Sequence, residues 1–522
     1  MLSTALSPTE AVGTTRRRSI PLPAAIPVAA GAGVALDAAF PALAWWPLAF
    51  VGVCLGLLTL VGRGPGGALL VGAVFGAAFH LSHLSWVGSF LGPLPWLALS
   101  ALQTALFALG AVAIALVYRW ADGRSSAGRR PTVTAAAVAV VWTAREVIVG
   151  MWPYTGFPWA RLGMSQVNGP FAEVASWVGV TGLSLVVATI AALLVELVRE
   201  RRRSVARVAI PAFVIATAAA VLPQFPTAES GTLRVGWVQG NARTGYFDGA
   251  GAGEVFAAQR QATEQITGQV MDLLAWPEGG VDSDPLRGPA RAALDELSRD
   301  VDAPVLVNAA TQRGGLTYNT SLLWTPGSPP KLHDKINPVP FGEYVPDRWF
   351  YELLAPDLVG LVQREYAPGV APPVVNVDGV QVGLAICFDV IYDDVVRAGI
   401  DRGAQVLVLQ SNNADFRGTD ENLQQAAFAR MRAIETGRSV VNVSTVGTSQ
   451  VFAPDGAVLA EASPGVAAAG VTAVPRRTGV TAGVLLGPWV TATVLATAAV
   501  AVVTSILRAR RRTPPTRYED LP

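Results

Sequence analysis

The feature that most constrains this chain is a series of apolar runs, each about 20 residues long, that fills the first 225 residues and returns near the end. A soluble core takes apolar residues at helical or alternating spacing, whereas a bilayer demands them in unbroken stretches. Eight candidate spans follow, at 19–37, 41–62, 67–91, 94–118, 132–152, 171–198, 208–225 and 481–507. The first two are separated only by "DAAFP", read as a tight external turn. Charged residues make up 15% of the chain, against about 25% in ordinary globular domains. The formal net charge of +1 gives no global field that would favour nucleic acid.

Arginines orient the spans, because basic residues collect on the cytoplasmic side. Arg16, Arg17 and Arg18 precede the first span, Arg63 follows the second, and Arg119, Arg124, Arg129 and Arg130 follow the fourth. "RERRRSVAR" (199–207) follows the sixth and "RARRR" (508–512) the eighth. The alternate loops hold almost none, Arg161 being the exception. All these clusters fall on one side if eight spans leave both termini inside. The expected organisation is a cytoplasmic tail (1–18), a seven-helix bundle (19–225), an extracytoplasmic domain (226–480), an eighth span (481–507) and a second cytoplasmic tail (508–522). A cleaved signal peptide is the other reading of "RRR" before an apolar run. The run continues into further spans, and no clear cleavage site stands out.

Residues 226–480 have a different character. Strand-like runs occur at 233–240, 272–278, 303–311, 320–325, 374–387, 404–411 and 439–444, with helical stretches between several, the clearest at 420–436. This alternation predicts a layered α/β domain. Two cysteines in the whole chain exclude a disulfide framework. One of them, Cys387 in "LAICFDVIY", ends an apolar strand ahead of a helical stretch, where α/β sheets place their sites. A lone cysteine is ordinarily a small buried hydrophobe; partners from other strand ends would make it a nucleophile. "WPEGG" sets Glu278 at another strand end, before two glycines, which suits a general base. Lys335, one of only two lysines, lies in the loop "HDKINPVPFGEYVP" and can supply a fixed charge for an oxyanion. Singly, each would read as a surface residue.

The order Glu, Lys, Cys resembles the nitrilase superfamily, whose triad sits on an αββα sandwich. With the spans, residues 40 to 480 resemble the apolipoprotein N-acyltransferase family. The most specific pieces are "TGFPWARLGMSQ" (155–166), "VQGN" (238–241), "WPE" (276–278), "NPVPFGEYVP" (337–346) and "RMRAIETGRS" (430–439). The resemblance implies that Glu278 is the base, Lys335 the oxyanion support and Cys387 the nucleophile, with Glu343 a further acid near the site. The family's usual Tyr–Glu pair after the cysteine is Phe388–Asp389 here, and a usual Trp is Asp415. Roles at these positions do not carry over.

The implied reaction is the last step of bacterial lipoprotein maturation. An acyl chain passes from a membrane phospholipid, by a ping-pong route through a cysteine thioester, to the N-terminal amine of a diacylglyceryl-cysteine. The resemblance implies a multi-pass protein of the bacterial cytoplasmic membrane, monomeric, needing no metal or cofactor. Trp349, Phe350, Leu353 and Leu354, in the connection after the Lys335 loop, are candidates for a lid that admits lipid and excludes water, or else for a helix packed on the domain. His80 and His83, at i and i+3, read as interhelical hydrogen bonders. Arg145 and Glu146 are read first as shaping a headgroup cavity and second as pairing locally near "GFPW". Arg432 and Glu435 read as structural.

Three rivals compete. A membrane-anchored amidase would use the same triad with water as acceptor. A transporter or receptor would have no use for Cys387. A lapsed homologue would not retain all three triad residues. "GFPW" separates the favoured reading from the first, because it belongs to the acyltransferases and not to soluble nitrilases.

Overall fold

The computed structural model describes residues 20–122, 130–200, 205–246, 248 and 251–510. Both tails lie largely outside that range, with the arginines at 16–18, 124, 129, 201–203 and 511–512 that carry much of the orientation argument.

The N-terminal half is helical: α1 (Leu22–Asp37), α2 (Pro47–Leu60), α3 (Pro65–His83), the single turn α4 (Gly88–Leu91), α5 (Pro93–Asp122), α6 (Pro131–Val149), α7 (Ala175–Arg199) and α8 (Val205–Ala220). Several begin on proline, which lacks an N–H that the first turn could not satisfy anyway. The C-terminal half up to residue 478 is a sandwich of two six-stranded sheets. The first is ordered β12-β1-β2-β3-β4-β5, from β1 (Ala228–Gln239), β2 (Leu273–Ala275), β3 (Val305–Arg313), β4 (Leu316–Trp324), β5 (Lys331–Asp334) and β12 (Ala468–Thr478). The second is ordered β11-β10-β9-β8-β7-β6, from β6 (Val374–Val377), β7 (Val380–Ile386), β8 (Val406–Ser411), β9 (Ser439–Ser444), β10 (Ser449–Phe452) and β11 (Val458–Ala462).

Parallel pairing of β1–β2–β3 and of β7–β8–β9 needs crossovers. These are α9 (Glu254–Thr263) and α10 (Ala290–Asp300) on the first sheet, and α13 (Asp393–Asp401) and α14 (Glu421–Thr436) on the second. Two short helices, α11 (Arg348–Leu354) and α12 (Pro356–Leu361), fill the connection after β5. The inner faces meet through alternating side chains such as Val235, Trp237, Val382, Leu384, Val406, Val408 and Val441. The outer face of the second sheet is not free. Phe428, Met431 and Val395 from its helices join one continuous apolar cluster with Trp142 and Val187 of the helical bundle. The last helix, α15 (Ala482–Arg510), returns to the bundle.

Among the described residues, five helices are long and apolar enough to cross a membrane, at 65–83, 93–122, 131–149, 172–199 and 482–508. The other three apolar helices, α1, α2 and α8, have 16, 14 and 16 residues. That is about 21–24 Å, short of a hydrocarbon core of about 30 Å. The apolar runs overstate these helices because turns consume part of them. Residues 38–46 form a loop with Ala44 at positive φ, and the 67–91 run breaks after His83 into a short 3-10 turn and α4. The strand expected at 374–387 is a hairpin, turned at Asp378 and Gly379 with φ +46° and +87°. Its alternation continues through the turn, which hides the break.

Candidate active site

Cys387 follows β7 at φ +49°, in the left-handed region that a non-glycine residue enters at a cost of roughly 1–3 kcal/mol. The chain then tightens into a 3-10 turn, Cys387–Ile391. The strain lifts the sulfur out of the strand direction and leaves it partly accessible. Glu278 arrives just past β2, buried, and Lys335 just past β5, only 1% exposed. The reading of these two as isolated surface residues therefore fails, and the fold brings all three expected residues together.

Lys335 Nζ lies 2.8 Å from Glu343 Oε2 and 3.4 Å from Glu278 Oε1. Asn319 on β4 donates to Glu278 Oε1 at 2.7 Å and to Glu343 Oε1 at 3.1 Å. Asn319 is held in turn by Asn308 Nδ2 at 2.9 Å, and Asn308 accepts from Gly279 N–H at 2.8 Å. Glu278 and Lys335 both act electrostatically on the Cys387 sulfur. Burial pushes Glu278 above the usual carboxylate range, Lys335 opposes the rise and Glu343 adds to it. Burial alone would lower Lys335, but Glu278 and Glu343 hold it well above its ordinary value, so it stays cationic. Burial and Glu278 push the Cys387 thiol well up against the pull of Lys335. The resting group is a neutral thiol beside a carboxylate able to accept its proton, with a fixed cation across the cluster.

The supporting residues have defined places. Asp389 is fully buried and accepts from the N–H groups of Ile336 (3.1 Å) and Asn337 (2.8 Å) and from the Asn337 side chain (3.1 Å). It ties the Cys387 turn to the lysine loop. Burial lifts it to about 6, against the pull of Lys335 and those donors. Phe388 packs between Phe157 and Tyr392, at centroid distances of 5.9 and 5.4 Å. Asp415 accepts from Tyr246 N–H at 2.8 Å.

The "TGFPWAR" stretch is the clamp between the two halves. Tyr392 hydroxyl donates to Gly156 carbonyl at 3.2 Å, Trp159 Nε1 donates to Gln424 Oε1 at 2.6 Å, and Arg161 forms a fork on Asp393 at 2.8 and 2.9 Å. Gly156 sits at φ +77°, where a Cβ would come within 2.2 Å of Gly150 backbone, so no other residue fits. The exception to the arginine pattern thus has a local cause: Arg161 is there for Asp393. Arg432 Nη1 reaches Asp393 at 2.8 Å and Glu435 at 2.6 Å, as a structural reading requires. His83 meets Asp37 at 3.0 Å and His80 meets Thr104 at 3.4 Å. Arg145 pairs with Glu146 at 3.2 Å, and Glu146 accepts from Leu162 N–H beside "GFPW", so the two pair locally, the second of the two readings of these residues.

Of the lid candidates, Trp349, Leu353 and Leu354 are 72%, 78% and 66% exposed and Phe350 is 42% exposed. The segment is anchored from beneath by Val345, Val359 and Val362, and by Tyr351, whose hydroxyl meets Tyr154 at 3.2 Å. Sequence reasoning did not find Asn319, Asn308 or Gln425. Each sits in a strand or helix with nothing local to mark it, and only the sheet register brings the two asparagines to Glu278.

Two six-stranded sheets between helical layers, with Glu, Lys and Cys at strand ends, define a carbon-nitrogen hydrolase domain set on a helical bundle. Residues 235–478 match the carbon-nitrogen hydrolase family, and residues 32–193 match the apolipoprotein N-acyltransferase N-terminal domain. Apolipoprotein N-acyltransferase of Mycolicibacterium smegmatis is 32% identical over 84% of this chain and 77% of its own length. That of Azotobacter vinelandii is 32% identical over 83% and 85%. Among solved structures, a CN-hydrolase superfamily protein from Xanthomonas campestris aligns with 47% of this chain and 91% of its own, at 18% identity and a TM-score of 0.36. The chain belongs to the apolipoprotein N-acyltransferase family.

Proposed function

We propose that this protein acylates the N-terminal amine of lipoproteins, with a membrane phospholipid as donor and Cys387 as the covalent carrier. The observation that carries the reading is the buried Glu278–Lys335 pair acting on Cys387 beside a clamp to the apolar bundle. Glu278 takes the thiol proton, and the sulfur attacks the ester carbonyl of the phospholipid. Lys335 faces the negative charge that gathers on the carbonyl oxygen. The carbon–oxygen ester bond then breaks, and the departing alkoxide takes the proton from Glu278 to leave as lysophospholipid. The thioester holds the acyl chain. The lipoprotein amine attacks the thioester carbonyl, gives its proton to Glu278, and expels the sulfur, which recovers that proton. Atoms and charge balance over the cycle, and the first product leaves before the amine reacts.

The exposed Trp349, Phe350, Leu353 and Leu354 form an apolar edge suited to meeting the membrane surface above the site. Eight spans with residues 226–480 outside the cytoplasmic membrane bring this site to substrates anchored in the outer leaflet. Mass spectrometry of a lipoprotein's N-terminal peptide, in cells with and without the gene, tests the activity: N-acylated peptide is expected only with it. The same acylation state in both cells would refute the reading. Topology is tested with cysteines placed at Asp302 and Arg207, both exposed, in a Cys54→Ala, Cys387→Ala background. An impermeant thiol reagent added to intact cells with a permeabilised envelope should label the first and spare the second; the reverse pattern would invert the orientation.

A further inference from the structure

One contact on the sulfur is left without a role by the triad. Gln425, on α14, places its side-chain nitrogen 3.4 Å from Cys387 Sγ. The two ends of an amide have opposite consequences there: an N–H supports a thiolate, and a carbonyl oxygen repels one. A chain of buried partners decides which end faces the sulfur. Asn413 Nδ2 donates to Gln425 Oε1 at 2.7 Å and to Glu421 Oε2 at 2.7 Å. The other end of Asn413 is claimed by the Ser444 hydroxyl. A Cβ at Gly447 would come within 2.6 Å of Asn413 Oδ1, so the pocket is built around that side chain. With both of its N–H groups spent on acceptors, Asn413 occupies the Gln425 oxygen and leaves the Gln425 nitrogen for Cys387.

Glu421 begins this chain. It is 3% exposed and makes no ion pair among the described residues. Carboxylates this buried are ordinarily paired. This one spends its acceptor on an asparagine that reaches the nucleophile in one further step. The titratable groups facing it are Glu278 and Cys387; Asn413 and Gln425 are neutral.

We propose that Gln425 is a further catalytic residue whose N–H steadies the Cys387 thiolate, and that Glu421 and Asn413 are positioning residues that fix which end of its amide meets the sulfur. The inference rests on Cys387 being the nucleophile. The negative charge reaches the sulfur twice per cycle, when Glu278 takes the thiol proton and when the amine expels the sulfur from the thioester. Gln425 therefore serves both half-reactions. Burial pushes Glu421 up to about 8, helped by Glu278 and opposed by the Asn413 hydrogen bond. Below that pH it is neutral and does not oppose the thiolate. Above it, a second negative charge faces the sulfur.

The test uses the full-length protein in Cys54→Ala form. It measures Cys387 alkylation by iodoacetamide against pH, acyl mass gained from phospholipid vesicles, and melting temperature. Gln425→Ala should slow alkylation and acylation about tenfold or more, the scale of a hydrogen bond to a charged group, with little change in melting. Glu421→Ala should lose a similar factor, and Glu421→Gln should recover most of it while removing the downward bend in alkylation above about pH 8. The double variant Glu421→Ala, Gln425→Ala should lose no more than Gln425→Ala. Wild-type alkylation in Gln425→Ala, additive losses in the double variant, or a Glu421→Gln no better than Glu421→Ala would overturn the proposal. A wild-type protein in which Cys387 is alkylated with this pattern but never acylated would leave the amide relay standing and refute the transferase reading.

Discussion

Two charge clusters in this chain are built on different arithmetic. At the junction of bundle and sandwich, Arg161 and Arg432 face Asp393 and Glu435, two cations against two anions. Glu435 also accepts from Val180 N–H, where α7 resumes after its break at Gly179, so it caps a helix as well. Partial burial would raise Asp393, but the two guanidiniums hold it well below the usual carboxylate range. A carboxylate held that firmly cannot take a proton. In the active site one cation, Lys335, faces two carboxylates, Glu278 and Glu343. Burial, and then the charge of Glu343, push Glu278 up. In the proposed reaction the Cys387 proton moves onto Glu278, which would balance the three-residue cluster and pass the charge to the sulfur. A balanced cluster fastens the molecule together, and an unbalanced one stores the means of moving a proton.

The sharpest way to break this comparison is to neutralise one carboxylate in each cluster. Glu278→Gln leaves Lys335 and Glu343 as an equal pair, so melting should hold while Cys387 acylation falls at least about hundredfold, the scale of a lost general base. If activity survives, Glu278 is not the base. Arg432→Met should do the opposite. It strands Glu435 and leaves Asp393 with Arg161 alone, costing about 3–5 kcal/mol and on the order of 10 °C of melting temperature. Acylation per folded molecule should stay within about threefold, because Arg432 touches neither the sulfur nor Lys335. A large loss of activity at full stability would mean that the junction is part of the chemistry.

pH separates the clusters more gently. Folding lowers Asp393, so its contribution is full above the unfolded value of about 4 and is lost as pH falls through the lowered folded value. Asp393→Asn should flatten the loss of melting temperature below about pH 4 relative to wild type. An unchanged acid limb would show that Asp393 is not held as described. The smallest effect is expected at the exposed edge. Trp349→Ala with Leu353→Ala should slow acylation from vesicles several-fold with melting almost unchanged, since those side chains are mostly exposed. A variant that melts early would make the segment packing and not a lid.

Much of this was legible in the chain. Glu278 and Cys387 were legible as strand ends and Lys335 as a lysine in a loop rich in proline and glycine, and their order along the chain joined what each alone left open. The apolar runs gave the bundle, with α1, α2 and α8 inside the spans at 19–37, 41–62 and 208–225, but overstated the first two helices, because a loop of alanine, phenylalanine and tryptophan at 38–46 is as apolar as the helices it joins. Strands β5 and β10 to β12 escaped because they are short or broken by small residues. Asn319 and Gln425 were beyond reach for another reason: their meaning lies in partners far away in sequence. Asn319 meets Glu278 only through the register of β4, and Gln425 meets Cys387 only through the packing of α14. Arg161 marked itself as an anomaly, but its explanation needed Asp393 from the other half of the molecule.

The central claim is that Cys387 carries the acyl group, and intact-protein mass spectrometry addresses it directly. Incubated with phospholipid alone, the protein should gain one acyl mass, labile to neutral hydroxylamine and mapped to Cys387. Adding diacylated lipopeptide should discharge it with formation of N-acylated peptide, and Cys387→Ala should gain nothing. An acyl mass on another residue would contradict the account, as would a thioester that decays to free fatty acid equally fast with and without lipopeptide. That second result would make the protein a hydrolase.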